Sequence, residues 1–120
     1  DRPEVVEAIR RLSRRFRQAL LTNDATTWLG PGWWRGWYLR DCFAAILDAA
    51  EEGVRKPHPE IYRRAARALR LPPEECLFID DLTVNVEGAR AVGMAGFRFQ
   101  VTDPRGSVQR LYAMLGVDDG

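Results

Sequence analysis

The sequence predicts an α/β fold, a parallel sheet flanked by helices, and three observations predict it. Short apolar runs alternate with amphipathic stretches in the order helix–strand–helix–strand–helix–strand–helix–strand–helix, the pattern of βαβ units. Two of the apolar runs end in polar clusters, Thr22-Asn23-Asp24 and Asp80-Asp81, and in open parallel sheets ligands gather beyond the C-terminal strand ends. The 120 residues suit one domain, residues 1–120, and leave little room for a second.

Each element has its own reason. Asp1-Arg2-Pro3-Glu4 reads as an N-cap followed by Pro in the first turn, where the missing N–H costs nothing. Val5, Val6, Ile9 and Leu12 then recur at helical spacing, with Arg10, Arg11, Arg14 and Arg15 toward solvent. Phe16 to Leu21 reads as a strand, and Thr22-Asn23-Asp24 as the turn at its end. Gly30-Pro31-Gly32 breaks the chain's next stretch, and a helix is expected from about Trp33 to Cys42. Phe43 to Leu47 is a short strand, and residues 48–57 a loop. Pro59 to Leu69 is an amphipathic helix with Ile61, Ala65, Ala68 and Leu69 on one face. Pro72-Pro73-Glu74-Glu75 opens a helical turn, and Cys76 to Ile79 is a buried strand. Thr83 to Val92 is a helix closed by Gly93. Gly96 to Val101 is the last strand and Pro104 to Leu115 the closing helix.

Composition excludes several classes. With 46% hydrophobic and 29% charged residues, the chain can bury a core and is not disordered over most of its length. A net charge of +1 gives no field that favours nucleic acid or an anionic membrane. No apolar run approaches the ~20 residues of a membrane span, and no signal-peptide pattern opens the chain. Cys42 and Cys76 form no spaced metal or redox motif, which points to reduced thiols in the cytoplasm. The first residue is Asp1 rather than Met, as in a trimmed or cut chain.

Four groups bear on chemistry. Asp80 and Asp81 are adjacent carboxylates that repel one another unless paired or metal-bound. They would serve a hard cation such as Mg²⁺, or else form a solvated turn capping the next helix. Lys56 is the one Lys among 18 basic residues. Arg is a planar fork and Lys a compact point charge on a flexible stem, so a site that must reach one oxygen selects Lys. The Thr22 hydroxyl with the N–H groups of Asn23 and Asp24 would suit a phosphate oxygen, or simply a turn. His58, the single histidine, lies between prolines and reads as loop structure or a substrate-edge contact. All four Trp fall at positions 28, 33, 34 and 37, which reads as packing or an apolar contact patch, since no basic stripe accompanies them.

In order, these segments resemble the haloacid dehalogenase (HAD) superfamily, most closely its phosphatase-like members and the phosphatase domain of epoxide hydrolases. Leu20-Leu21-Thr22-Asn23-Asp24 resembles the second motif and Gly53-Val54-Arg55-Lys56-Pro57-His58-Pro59-Glu60-Ile61-Tyr62 the third. Cys76-Leu77-Phe78-Ile79-Asp80-Asp81, with Asn85-Val86-Glu87-Gly88-Ala89-Arg90 and Gly93-Met94, resembles the fourth. The resemblance implies a Rossmann-like, HAD-like core and Mg²⁺-dependent hydrolysis of a small phosphorylated metabolite. It implies that Thr22 and Asn23 bind phosphate, that Lys56 neutralises charge on nucleophile and phosphate, and that Asp81 is the direct metal ligand. Asp80 would support Lys56 or a water, and Asn85 stands where related members place another acid.

The chain departs from the family at its first motif. No Asp-x-Asp, which carries the nucleophile and the general acid/base, follows a strand here. The chain begins where family members resume after their cap, and the first-motif strand belongs between the strands of motifs two and four. The expectation is therefore a partial core with a gap in its sheet. Three accounts fit: an upstream part outside this sequence, a natural truncation whose homo-oligomer completes the sheet, or a catalytically silent phosphate- or metal-binding and interaction module. A receiver-like signalling domain uses similar residues in the wrong order.

Overall fold

The computed structural model describes residues 2–118. The expected Asp1 cap lies outside the described residues. Helix α1 (Pro3–Ser13) begins at Arg2, which makes no side-chain capping bond. Strand β1 (Ala19–Thr22) leads into α2 (Ala25–Leu29), and β2 (Ala45–Asp48) into the one-turn α3 (Ala49–Glu52). Next come α4 (Pro59–Leu69), β3 (Leu77–Asp80), α5 (Thr83–Ala91), β4 (Ala95–Arg98) and α6 (Pro104–Leu115).

Several boundaries and one helix differ from expectation. The segment expected as a helix from Trp33 to Cys42 is a series of turns that ends in a 3-10 turn at Arg40–Cys42. Gly30 and Gly32 take positive φ at the expected break, and Gly36, inside the span, does so too, which no continuing right-handed helix accommodates. Ring packing holds the segment instead: Trp37 stacks on Phe43 at 5.8 Å and tilts against Trp33 at 5.5 Å. Phe16 does not start a strand, because its N–H still donates to Leu12 O at 2.9 Å. The 48–57 loop contains α3, and α2 follows directly on the expected turn at Thr22-Asn23-Asp24. The last strand stops at Arg98 rather than Val101. On α4 the buried face is Ile61, Tyr62, Ala65 and Ala66, and Ala68 is exposed.

All the strand pairing is parallel, as expected, but it is divided. Among the described residues β1 pairs only with β2, and β3 only with β4. Thr22 lies opposite Asp48 in the first pair, and Asp80 opposite Arg98 in the second. Between β1 and β3 lies a cavity of about 320 Å³, lined by Leu20 and Leu21 from one strand and Phe78 and Ile79 from the other. Ala65 and Leu69 of α4 also line it.

Two apolar clusters hold the layers. Leu47, Ile61, Tyr62, Ala66, Phe78, Val86 and Ala89 join α4 and α5 to both strand pairs, and Tyr62 meets Phe78 edge-on at 5.1 Å. Such an aromatic pair adds roughly 1 kcal/mol beyond its area burial. On the other side α1 and α6 pack through Ala8, Leu12, Val108, Leu111 and Tyr112, covering Leu77 and Phe97.

Candidate active site

Lys56 occupies the junction of the two strand pairs. Its Nζ donates to the backbone oxygen of Leu21, at the end of β1, at 3.2 Å. It also pairs with Asp80 Oδ2, at the end of β3, at 3.0 Å. The two side chains are only 12% and 8% exposed, so this is a buried ion pair whose loss would strand a charge. The ammonium also lies 5.7 Å from the Phe78 ring centroid, a favourable face for a cation.

The loop carrying Lys56 is fixed from both sides. The Lys56 N–H donates to Asn23 Oδ1 at 2.9 Å, and Asn23 Nδ2 donates back to the Lys56 oxygen at 3.2 Å. Pro57 continues the loop, and His58 caps α4, its Nδ1 accepting from the Glu60 N–H at 3.1 Å. His58 is exposed and structural at this ring nitrogen. Arg55 reaches Asp24 at 3.4 Å on the surface, an exposed pair of little energetic weight.

Asp80 is saturated. Its Oδ1 accepts from the Leu82 N–H at 2.8 Å, and its Oδ2 accepts from Lys56 and from Asn85 Nδ2 at 3.3 Å. Burial pushes this carboxyl up, but the Leu82 N–H and the Lys56 ammonium outweigh it, and the net shift is downward. Asn85 is itself buried, and its backbone oxygen accepts from the Tyr62 hydroxyl at 2.7 Å. Burial, with the Asp80 charge adding, pushes that hydroxyl up to about 12. Asp81 is exposed beside Asp80, and its backbone oxygen accepts from Arg98 Nε at 3.2 Å.

Thr22, Asn23, Lys56, Asp80, Asp81 and Asn85 thus come together at the C-terminal edge of β1 and β3. The Thr22 hydroxyl accepts from the Ala25 N–H at 3.1 Å, which leaves its own proton to donate outward. Among the described residues no three His, Cys, Asp or Glu side chains form a metal-binding group. With both Asp80 oxygens engaged, Asp81 is the carboxylate of the pair that suits a cation. One carboxylate is compatible with Mg²⁺, which usually keeps several waters.

Sequence reasoning missed Asp48. It is 1% exposed at the end of β2, and its oxygens accept from the Thr26 and Ala50 N–H groups, each at 2.9 Å. Its place after an apolar run and before Ala49-Ala50 was the available signal. The Trp segment divides: Trp37 packs on Phe43, while Trp28 is 81% exposed.

A parallel α/β unit with polar side chains gathered at its C-terminal strand ends belongs to the class of open sheets whose ligand sites lie there. More specifically, the chain belongs to the haloacid dehalogenase-like hydrolase family, whose family model matches residues 1–93. It is 33% identical over 96 residues to a phosphatase, MT3486, of Mycobacterium tuberculosis, covering 80% of this chain and 43% of that protein. It is 29% identical over 121 residues to bifunctional epoxide hydrolase 2 of Sus scrofa, covering 96% of this chain and 21% of that protein. In structure it resembles an uncharacterized protein from Corynebacterium glutamicum, with a TM-score of 0.81 and 26% identity, covering 100% of this chain and 89% of that one. The chain spans less than half the length of these and other curated relatives that it matches.

Proposed function

We propose that the protein is a cytoplasmic phosphohydrolase that cleaves a small phosphate monoester with Mg²⁺, through an aspartyl-phosphate on an Asp outside residues 1–120. The observation that carries this is Lys56, held by Leu21 and Asp80 at the junction of the two strand pairs. Two of its three donors are used, and the third is available to a phosphoryl oxygen or to an attacking carboxylate. The nucleophile's oxygen would bond to phosphorus as the ester oxygen leaves and takes a proton, and water would then release phosphate. Thr22 and Asn23 would hold the phosphoryl oxygens, and Lys56 would offset the negative charge that gathers during transfer. Bound through Asp81, with Asn85 and Asp80 behind it, Mg²⁺ would neutralise phosphate charge. Free thiols at Cys42 and Cys76 are compatible with a reducing compartment.

The cavity between β1 and β3 favours a strand supplied from outside this segment. Both strands present unpaired edges to it, and their C-terminal ends meet at Lys56. The same chain upstream of Asp1, or a second copy in a homo-oligomer, would supply that strand. The test is hydrolysis of p-nitrophenyl phosphate by the full-length protein with Mg²⁺. Activity that disappears in Lys56→Ala supports the reading; an inactive wild type, or an unchanged variant, sinks it.

A further inference from the structure

We infer that Asp48 is a positioning residue that sets the phosphate affinity of the Thr22–Asp24 turn by tethering the helix directly after it. The inference rests on the reading of that turn as the phosphate site, and it concerns a residue no motif assigns.

As a cap of α3, Asp48 would need one oxygen only. Oδ1 does that work, accepting from the Ala50 N–H at 2.9 Å. Its second oxygen reaches across to the first turn of α2, where Oδ2 accepts from the Thr26 N–H at 2.9 Å. A carboxylate that is 1% exposed is costly unless both oxygens are hydrogen-bonded, and here each has an N–H.

Helix α2 has little else to locate it. It is five residues long, buries none of them, and its N-cap Asp24 makes no side-chain capping bond. It ends at Gly30 with φ +90°. Trp28 and Leu29, its largest side chains, are 81% and 67% exposed. An isolated helix this short is unstable in water, so its position follows its tethers. Asp48 is one of them, and it is anchored on β2 opposite Thr22. The Thr22 hydroxyl accepts from Ala25 and Asn23 bonds Lys56 in both directions. Where α2 starts therefore decides where the hydroxyl and amide groups of the turn point. Removing the tether lets the turn open without touching any group that meets phosphate.

The experiment is calorimetric binding of inorganic phosphate, with Mg²⁺, to the full-length protein. Three forms are compared well below their melting temperatures: wild type, Asp48→Ala, and Ala50→Pro. Pro is tolerated in a first helical turn, so Ala50→Pro removes the α3 bond and leaves the α2 tether. The expected result is an affinity about tenfold lower in Asp48→Ala, the equivalent of one hydrogen bond, and unchanged within about twofold in Ala50→Pro. If Asp48 were only a helix cap, both variants would lose thermal stability and neither would lose affinity, which overturns the inference. Should Asp48→Ala not fold, Thr26→Pro removes the α2 donor alone and takes its place. Should the wild type bind no phosphate, the phosphatase reading fails separately. Asp48 is then judged by amide exchange: faster exchange at Asn23 and Lys56 in Asp48→Ala, and not in Ala50→Pro, supports the tether, and equal exchange refutes it.

Discussion

Gly88→Ala is a substitution whose sign distinguishes helix propensity from packing. Gly88 lies within α5, and in an exposed helix Gly→Ala stabilises by about 1 kcal/mol. Here an added Cβ would lie 2.8 Å from Pro57 Cβ, 2.8 Å from the Tyr62 hydroxyl and 3.0 Å from the Pro57 oxygen. Carbon contacts are optimal at about 3.5–4.0 Å, so the methyl is roughly 1 Å too close on two sides. Neither neighbour yields easily. Tyr62 is fully buried and its hydroxyl is held by Asn85 O at 2.7 Å. Pro57 comes directly after Lys56, whose backbone Asn23 clamps. Overpacking of this kind costs about 1–3 kcal/mol. After subtracting the propensity gain, the net is about 0–2 kcal/mol of destabilisation. Urea unfolding of the two proteins measures it through the midpoint at constant slope. Because relief of the clash displaces Pro57, the phosphatase activity proposed for the full-length protein should fall as well. A variant more stable than wild type by about 1 kcal/mol would show that α5 and the Lys56 loop are not in close contact, and the packing argument would be wrong.

Further expectations concern the charged and aromatic centre. Lys56→Met leaves Asp80 buried without its cation, so it should destabilise by about 3 kcal/mol, and Asp80→Asn added to it should recover most of that; a coupling below ~0.5 kcal/mol in the double-mutant cycle would contradict the buried pair. Because the Asp80 carboxyl is held below its ordinary 3.8, its contribution is complete above that pH and is lost as pH falls toward the depressed native value, which acid titration of wild type against Asp80→Asn would reveal. Tyr62 is pushed up from 10.0 to about 12, so the neutral phenol's contribution is complete below pH 10 and is lost as pH rises toward 12. Tyr62→Phe should remove that alkaline slope and cost about 0.5–1.5 kcal/mol at neutral pH, the worth of one hydrogen bond, since the Asn85 oxygen keeps its place in the α5 backbone ladder; an unchanged slope would assign it to other groups.

The legible parts of the fold are those fixed by local chemistry. Helix α4 runs over Pro59–Leu69 and α6 over Pro104–Leu115 as their first-turn prolines and apolar spacing predict. Gly93 takes φ +100° just past α5, the conformation its place predicts. The short helices α2 and α3 were not legible. Neither is long enough to display a helical period, and both depend on Asp48, whose bond to Thr26 spans 22 residues. The turns from Trp33 onward were misread because helix-compatible side chains outnumber the one glycine there, yet Gly36 takes φ +76° and interrupts the helix. In the site, residue types and order placed Thr22, Asn23, Lys56, Asp80 and Asn85 in one cluster. Asp80 rather than Asp81 meets Lys56, a choice that strand alternation alone left open. The division of the sheet at the cavity is a long-range outcome that only the missing first-motif strand hinted at.

The structure also accounts for a single Lys among so many Arg. At position 56 the side chain must enter a 12% exposed space and satisfy two acceptors at one point, Leu21 O at 3.2 Å and Asp80 Oδ2 at 3.0 Å. An ammonium does this with two donors and keeps one. A guanidinium brings five donors in a plane, and two acceptors on separate strands, Leu21 O of β1 and Asp80 Oδ2 of β3, do not match its parallel fork. Arg at this position would leave buried N–H groups unpaired, each at a cost of about 1–3 kcal/mol. On the surface the preference reverses. Arg64 donates to the Glu52 oxygen at 2.7 Å and to Glu60 at 3.2 Å, and Arg67 shares Glu60 at 2.8 Å. These are spread acceptors that a fork reaches and a point charge does not. Lys56 is therefore selected by the same geometry that lets it join β1 to β3 where no sheet hydrogen bond does. The donor it keeps is the feature that links the scaffold to the proposed chemistry.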